Sequence, residues 1–514
     1  MNEREVGKQR FVATKQTKDP DMPSNYDNSN MNELYGRKQI IIDVTKEEFL
    51  ANPIGIIEDN LDTILSIHSQ NVKEINYLIN YHKGKQDILK KERANGDTKI
   101  NNKHVTNYAW EFVNFKKGYY VGKPIKYVDL SEEETNDIKY LNRYNKYIRK
   151  ASKDLVKYEN MLITGIAYTM TIPSRYNIDN EWQSPYEYYV IDNTEVCVVR
   201  SSDIFKTKLF SMFVSENHRD DDGSYSIYTI YYDNVYLVLK KSSKGLELIE
   251  QGLMPVYDCI TEYQLNEQRM GAFEPIIIAL NSLNMMTSNQ LDQLEEAVNS
   301  YLTFENVDVS SLLNSIDDLR AKRILVVNTN NPSTPAKIGV VTIQNDTAAL
   351  NEKYKEIEQR SYDIVGVPMP TSNTGQGVSG EAQVYGGGWE NAQIIAGLDT
   401  QYISKYEYED LEKFITISKN AINSKTVNLI PTNIEIKYTI NKSNNMMVKA
   451  QSMKYFIDNG FTREQALTYA EITDDPQTDG NIADENEKKQ KLDEINYEVE
   501  KAKKLQEVEN TKTN

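Results

Sequence analysis

Only two cysteines, Cys197 and Cys259, occur in 514 residues. Two isolated thiols cannot form a disulfide framework, and their scarcity fits a reducing compartment. No segment reaches the roughly 18 consecutive apolar residues of a membrane span. The opening MNEREVGKQR has no apolar run behind its charges, so neither a membrane helix nor a secretory signal is expected. Apolar residues make up 39% of the chain, below the roughly 45–50% usual in globular domains. A chain this long is expected to hold more than one core. Part of its apolar surface is expected to lie between subunits or along long elements.

Cations are missing from two long stretches. Gly271–Leu319 has no Lys or Arg against eight acidic residues, and Ser361–Ser404 has none against four. In a chain with 59 Lys and Arg, gaps of this length point to selection against positive charge. The opposite holds from Lys73 to Lys157, where 19 Lys and Arg face 11 Asp and Glu. The formal net charge of −17 argues against a general nucleic-acid binder, which needs clustered cations.

Tyrosine is abundant, 35 against 12 Phe. Its apolar body and polar tip suit half-wet interfaces, although biased codon usage accounts for it as well. Residues 1–40 are polar and read as an arm without the apolar content to fold alone. Helical spacing runs from Pro53 to Lys91 through Ile57, Leu61, Ile64, Leu65, Ile75 and Leu78. A charged, Tyr-rich helical segment follows at about 132–163. Between 165 and 263 the pattern is mostly strand. KLFSMFVSEN and SYSIYTIYY flank Asp222-Gly223, a hairpin signal, and NVYLVLKK extends them into a meander.

Apolar positions from Phe273 to Leu302 predict a helix of roughly 45 Å. They are interrupted by Asn281, Asn284, Thr287, Ser288 and Asn289, so this helix is expected to need neighbours, among them copies of itself. RILVVN (323–328) and KIGVVTIQ (337–344) predict a strand pair. A second helix is expected over 346–365. GVPMPTSNTGQGVSG (366–380) holds two prolines and four glycines and reads as a loop. Helix is again expected over 381–423, broken near Gly386-Gly387-Gly388 because each Gly costs about 1 kcal/mol against Ala. A strand is expected at 433–440 and helices from Met446 to about Glu507.

Nothing in these patterns makes an active site. Gly375-x-Gly377-x-x-Gly380 matches the dinucleotide fingerprint, which also needs a strand before it and an acidic residue on a second strand. Helix and a Pro-rich loop precede it, so a nucleotide-binding enzyme is the alternative and not the expectation. Gly118–Lys123 has three intervening residues where a P-loop has four, followed by Pro124. Asp220–Gly223 lacks the acidic ends of a calcium loop. The four histidines have no metal spacing, and His68 is expected at a surface or interface. No cofactor is expected.

Six segments, in this order, resemble the tailed-bacteriophage portal (head–tail connector) family of the siphophage type. They are INYLINYHKGKQDILKKER, INNKHVTNYAWEFVNFKKGYYVGKPIKY, MLITGIAYTM, LNSLNMMTSNQLDQLEEAVNSYLTF, VSGEAQVYGGGWENAQIIA and MMVKAQSMKYFIDNGFTREQALTYAEITDDP. The resemblance as a whole runs from about Val72 to Glu487. The first resembles the family's opening helix with its Tyr-x-x-Gly. The second resembles the segment leading into its Gly-Tyr-x-x-Gly-x-Pro-Ile strand, and the third its Gly-x-Ala-Tyr strand.

The resemblance implies an α+β portal fold. Residues 1–45 would be an N-terminal arm, 46–270 a mixed α/β wing and 271–302 the first stem helix. The clip would occupy 303–345, the second stem helix 346–365 and the tunnel loop 366–380. A long kinked helix and a strand returning to the wing would take 381–445, and a helical crown with an acidic tail 446–514. It also implies a dodecameric ring in the virion, assembled in the host cytoplasm; a virion adaptor without a channel is a further alternative, which predicts no closed ring. The ring's partners would be double-stranded DNA without sequence preference, terminase, a head–tail adaptor, and major capsid and scaffold proteins. Thr371, Ser372, Asn373, Thr374 and Gln376 would meet DNA in the tunnel loop. Asp292, Glu295 and Glu296 would line the stem channel. Asp317, Asp318, Arg320, Lys322 and Arg323 would form the docking edge of the clip.

Overall fold

The computed structural model describes residues 36–92, 100–130, 137–175, 182–220, 223–254, 256–298, 301–306, 331, 333–335, 337–341, 347–369, 389–426, 428–439, 446–470, 472–473 and 476–512. The fold is α+β, with helices and mainly antiparallel sheets.

After strand β1 (Ile40–Ile42) come α1 (Lys46–Ala51) and the long α2 (Pro53–His82). Asn52 caps α2 by accepting from the Gly55 amide, and Pro53 occupies a first-turn position where its missing N–H costs nothing. One face of α2 buries Ile57, Leu61, Ile64, His68, Ile75, Leu78 and Tyr81. That stripe enters three separate apolar cores in turn, so a single rod of about 45 Å ties them together.

The outer core lies under a six-stranded sheet in the order β1-β5-β6-β7-β8-β9. Strands β5 (Val196–Ser201), β6 (Lys208–Asp220), β7 (Gly223–Tyr232), β8 (Val235–Ser242) and β9 (Gly245–Leu253) form the expected antiparallel meander. β1 joins β5 in parallel. A middle core lies against the sheet of β10 (Ile260–Gln264), β3 (Ile166–Pro173) and β4 (Tyr186–Ile191). There β2 (Lys126–Asp129) pairs with β13 (Ile434–Lys437). The inner core is helical. It contains α3 (Tyr108–Val121), α5 (Lys150–Thr164), α6 (Ile277–Val298), α7 (Thr347–Val365) and the first half of α8 (Trp389–Asn420). Helix α4 (Asp137–Tyr147) precedes α5, and α9 (Met446–Asp458), α10 (Arg463–Tyr469) and α11 (Pro476–Lys512) close the chain.

The Gly-x-Ala-Tyr segment has a steric cause. Gly165 ends α5 with φ +82°, and a Cβ there would lie 2.1 Å from the Arg269 carbonyl oxygen. Ala167 and Tyr168 then enter β3 fully packed.

Three expectations are corrected. The helix predicted from Phe273 to Leu302 ends at Val298; Tyr301 and Leu302 belong to β11 (Tyr301–Glu305). β12 (Lys337–Val341) pairs with β11; its expected partner strand, 323–328, lies outside the described residues. The Gly118-Tyr-Tyr-Val stretch is the last turn of α3, and the strand starts only at Lys126. His68 is buried, its Nε2 3.1 Å from the Thr194 carbonyl oxygen, and burial lowers its pKa.

Candidate functional site

The polar interruption in α6 is where its sequence is least like a core helix. Asn281, Asn284, Ser288, Asp292 and Glu295 are spaced three or four apart and share one face. Asn284 and Ser288 are fully buried and Asp292 is 3% exposed. Uncompensated, such burial costs 1–3 kcal/mol per group, so each needs a partner.

The partner is an extended strap, residues 100–107, running antiparallel to the helix. The Thr106 amide donates to Asn284 Oδ1 at 2.9 Å, the His104 amide to Ser288 Oγ at 2.9 Å, and the Asn102 amide to Asp292 Oδ1 at 2.6 Å. The repeat distances explain the match. Four residues of α-helix rise about 6.0 Å and two residues of extended chain about 6.6 Å, so every second strap amide meets every fourth helix residue.

Side chains lock both ends of the ladder. Lys91 Nζ donates to Asp292 Oδ2 at 2.7 Å, and Asn102 Nδ2 reaches both Asp292 Oδ1 and Glu295 Oε2 at 3.0 Å. At the other end Asn284 Nδ2 donates to Gln86 Oε1, and Asn281 Nδ2 to Asp87 Oδ2 at 3.0 Å. Asn107 caps α3 and donates to the His82 carbonyl at 2.8 Å. Burial pushes the Asp292 carboxyl pKa upward, but Lys91 and the Asn102 donors outweigh it and hold it below the ordinary value.

The strap is absent from the sequence-based expectations. Its signal is a period-four polar series on α6 facing an Asn-rich extended stretch, and neither is informative until the two are brought together. The polar gap was expected to seek copies of the helix; strap and helix instead satisfy each other within one subunit.

Of the predicted channel residues, Asp292 therefore has its carboxylate occupied inside the subunit. Glu295 is exposed. Glu296 lies on α6, with its side chain outside the described residues. Asp317, Asp318, Arg320, Lys322 and Arg323, the loop residues Thr371, Ser372, Asn373, Thr374 and Gln376, and Gly375–Gly380 all lie outside the described residues. Ile278, Met285, Leu291 and Leu294 of α6 are exposed along its flanks.

The other side of α6 packs on α7, which α3 holds through aromatic hydroxyls. Tyr108 OH donates to Glu358 Oε1 and lies 2.9 Å from Tyr354 OH, while Tyr362 OH donates to Glu111 Oε1 at 2.7 Å. Phe112 meets the Tyr362 ring edge-on at 4.9 Å.

Chemistry elsewhere is sparse. A cleft of about 930 Å³ beside α8 is lined by five cations and five acids. Arg200–Glu262 and Lys208–Asp258 already pair within it, which leaves no surplus charge for an ionic ligand. Burial pushes both cysteine thiols up to about 12, far from a reactive thiolate. Among the described residues no group of three or more His, Cys, Asp or Glu could hold a metal, and no helix is long and apolar enough to cross a membrane. The arrangement positions helices.

The family model described as phage portal protein, SPP1 Gp6-like, matches residues 61–387, more than half of the chain. The chain belongs to the phage portal family. The match begins within α2 and takes in the strap, α6 and α7. The last of the six portal-like segments, 446–476, lies beyond it. No curated protein sequence matches the chain.

Proposed function

We propose that this chain forms a ring, a dodecamer as its family implies, at one vertex of a tailed-phage capsid. Double-stranded DNA would pass through the ring inward during packaging and outward on ejection. The observation that carries the reading is the family match over 61–387. Charge supports it. The two cation-free stretches, 271–319 and 361–404, take in the proposed first stem helix and tunnel loop. A conduit should bind phosphate weakly there, because every Lys or Arg contact adds affinity by releasing counterions. The exposed Leu291 and Leu294 of α6 fit a helix that also meets a neighbouring subunit.

Within this reading Glu295 and Glu296 face the channel and Asp292 braces α6 from inside. Thr371, Ser372, Asn373, Thr374 and Gln376 touch DNA without reading bases. Asp317, Asp318, Arg320, Lys322 and Arg323 offer the charged edge on which terminase docks and which the head–tail adaptor later occupies. Capsid and scaffold proteins surround the ring, assembled in the host cytoplasm and kept in the virion. The role is structural, with no catalytic residue and no cofactor. Imaging of the purified protein should show rings with an axial hole, and rings of Arg320→Glu/Arg323→Glu should bind terminase or adaptor more weakly. A protein that stays monomeric at high concentration refutes the ring, and unchanged binding refutes the docking edge.

A further inference from the structure

The six-stranded sheet has two unlike edges. One is β1, three residues long, with Ile40 and Ile42 buried. The other is β9, nine residues long, paired only with β8. Ile249 is 54% and Leu253 74% exposed, and among the described residues no strand lies beyond them. A long apolar edge with unpaired N–H and C=O groups is a template for another strand, which natural proteins cover or blunt. β9 bulges at Ile249, where the register with β8 shifts, but neither proline nor lysine interrupts the strand.

We infer that the β9 edge receives residues 8–18 of the N-terminal arm of the neighbouring copy, as an added strand. Three observations select this occupant. The first is topology: the arm leads into β1, so it leaves the sheet on one flank while the open edge lies on the opposite flank, about 24 Å away across five strand spacings. Donor and acceptor on opposite flanks are what a head-to-tail contact needs to close into a ring.

The second is charge. Residues 8–18 carry Lys8, Arg10, Lys15 and Lys18 with no acidic residue, in a chain of net charge −17. β9 presents Glu247 and Glu250, while the nearby Lys241 is paired with Asp62 at 2.6 Å and Lys240 lies over the Tyr225 ring. The third is pattern and reach. Phe11-Val12-Ala13-Thr14 has strand-forming character. It can set Phe11 and Ala13 on the side of Leu246 and Leu248, extending the outer core. The 17 residues between Lys18 and Gly36 can span up to about 60 Å at roughly 3.4 Å per step, ample for a neighbouring flank.

The inference rests on the ring reading, and the test separates the two. Ile249→Cys is combined in the full chain with Phe11→Cys, Val12→Cys or Ala13→Cys, one at a time, to allow for register. Opposed strand residues have Cβ atoms about 5 Å apart, within disulfide reach after small shifts, and both native cysteines are buried. Rings are confirmed by imaging, oxidised, and run on a non-reducing denaturing gel. A ladder of covalent multimers is expected from at least one pair, and none from any single variant. Rings without cross-links, or with bridges only inside one chain, overturn the inference and leave the ring standing. Absence of rings overturns both.

Discussion

The most demanding residues are four charges in the seam between α5 and α8. Lys150 pairs with Asp154 at 2.9 Å and with Glu407 at 3.1 Å, and Lys157 with Asp154 at 3.1 Å and with Glu407. All four are at most 4% exposed, and Tyr127, Tyr188 and Tyr263 stack their rings against the two ammonium groups. Burial pushes the Glu407 carboxyl upward, yet the two lysines reverse it and hold it at about 2. Removing one member leaves unpaired charge in a dry seam, so Glu407→Ala should cost about 3–5 kcal/mol in urea unfolding. The depressed pKa sets the pH dependence. Stability from Glu407, and from Glu262, also held at about 2, is fully present above the ordinary carboxylate value of ~4.3. It is lost as pH falls from there through about 2. Glu407→Gln should therefore show a flatter decline over that acid window, and an unchanged slope would count against the cluster. The spacing of Lys150, Asp154 and Lys157 on a helix was visible in the sequence, but their burial was not, because Glu407 lies 250 residues from Lys157.

At the scale of elements, local signals were read well and long-range ones poorly. Alternation and the Asp222-Gly223 turn revealed the meander, and apolar spacing revealed α2, because those signals act within a few residues. The end of α6 was misplaced by four residues. Tyr301-Leu302-Thr303-Phe304 continues an apolar pattern that fits helix or strand, and the ladder with β12 decides for strand. The strap was missed because its partners lie about 180 residues away. It is open to a direct test. Ser288→Ala and Asn284→Leu remove the acceptors for the His104 and Thr106 amides, at about 1–3 kcal/mol each. Amide hydrogen exchange measured on the full chain should then quicken in the peptide spanning 100–107. The six-stranded sheet, which packs on a separate apolar core, should stay unchanged. Equal acceleration everywhere would mean that the ladder only contributes general stability.

At the scale of the whole molecule, the order of short segments was informative where composition was not. A net charge of −17 argues against DNA contact if the chain is treated as a uniform surface. Its distribution allows a different mechanics, in which the path of the duplex avoids cations and the basic surplus of residues 73–157 is used elsewhere. Lys91, Lys116, Lys150 and Lys157 are already paired inside the fold. The sharpest test lies in the proposed tunnel loop, whose small neutral side chains offer phosphate only weak hydrogen bonds. Asn373→Lys with Gln376→Lys adds two cations per subunit at the proposed narrowest point. Each new phosphate contact would steepen the salt dependence of DNA affinity by roughly 0.9 in log–log slope. Packaging in a reconstituted capsid should then slow or stall at low salt and recover as salt is raised. Ring assembly should be unaffected, and Asn373→Ser with Gln376→Ser should package normally. Normal packaging by the lysine pair at low salt would show that these residues do not meet the duplex.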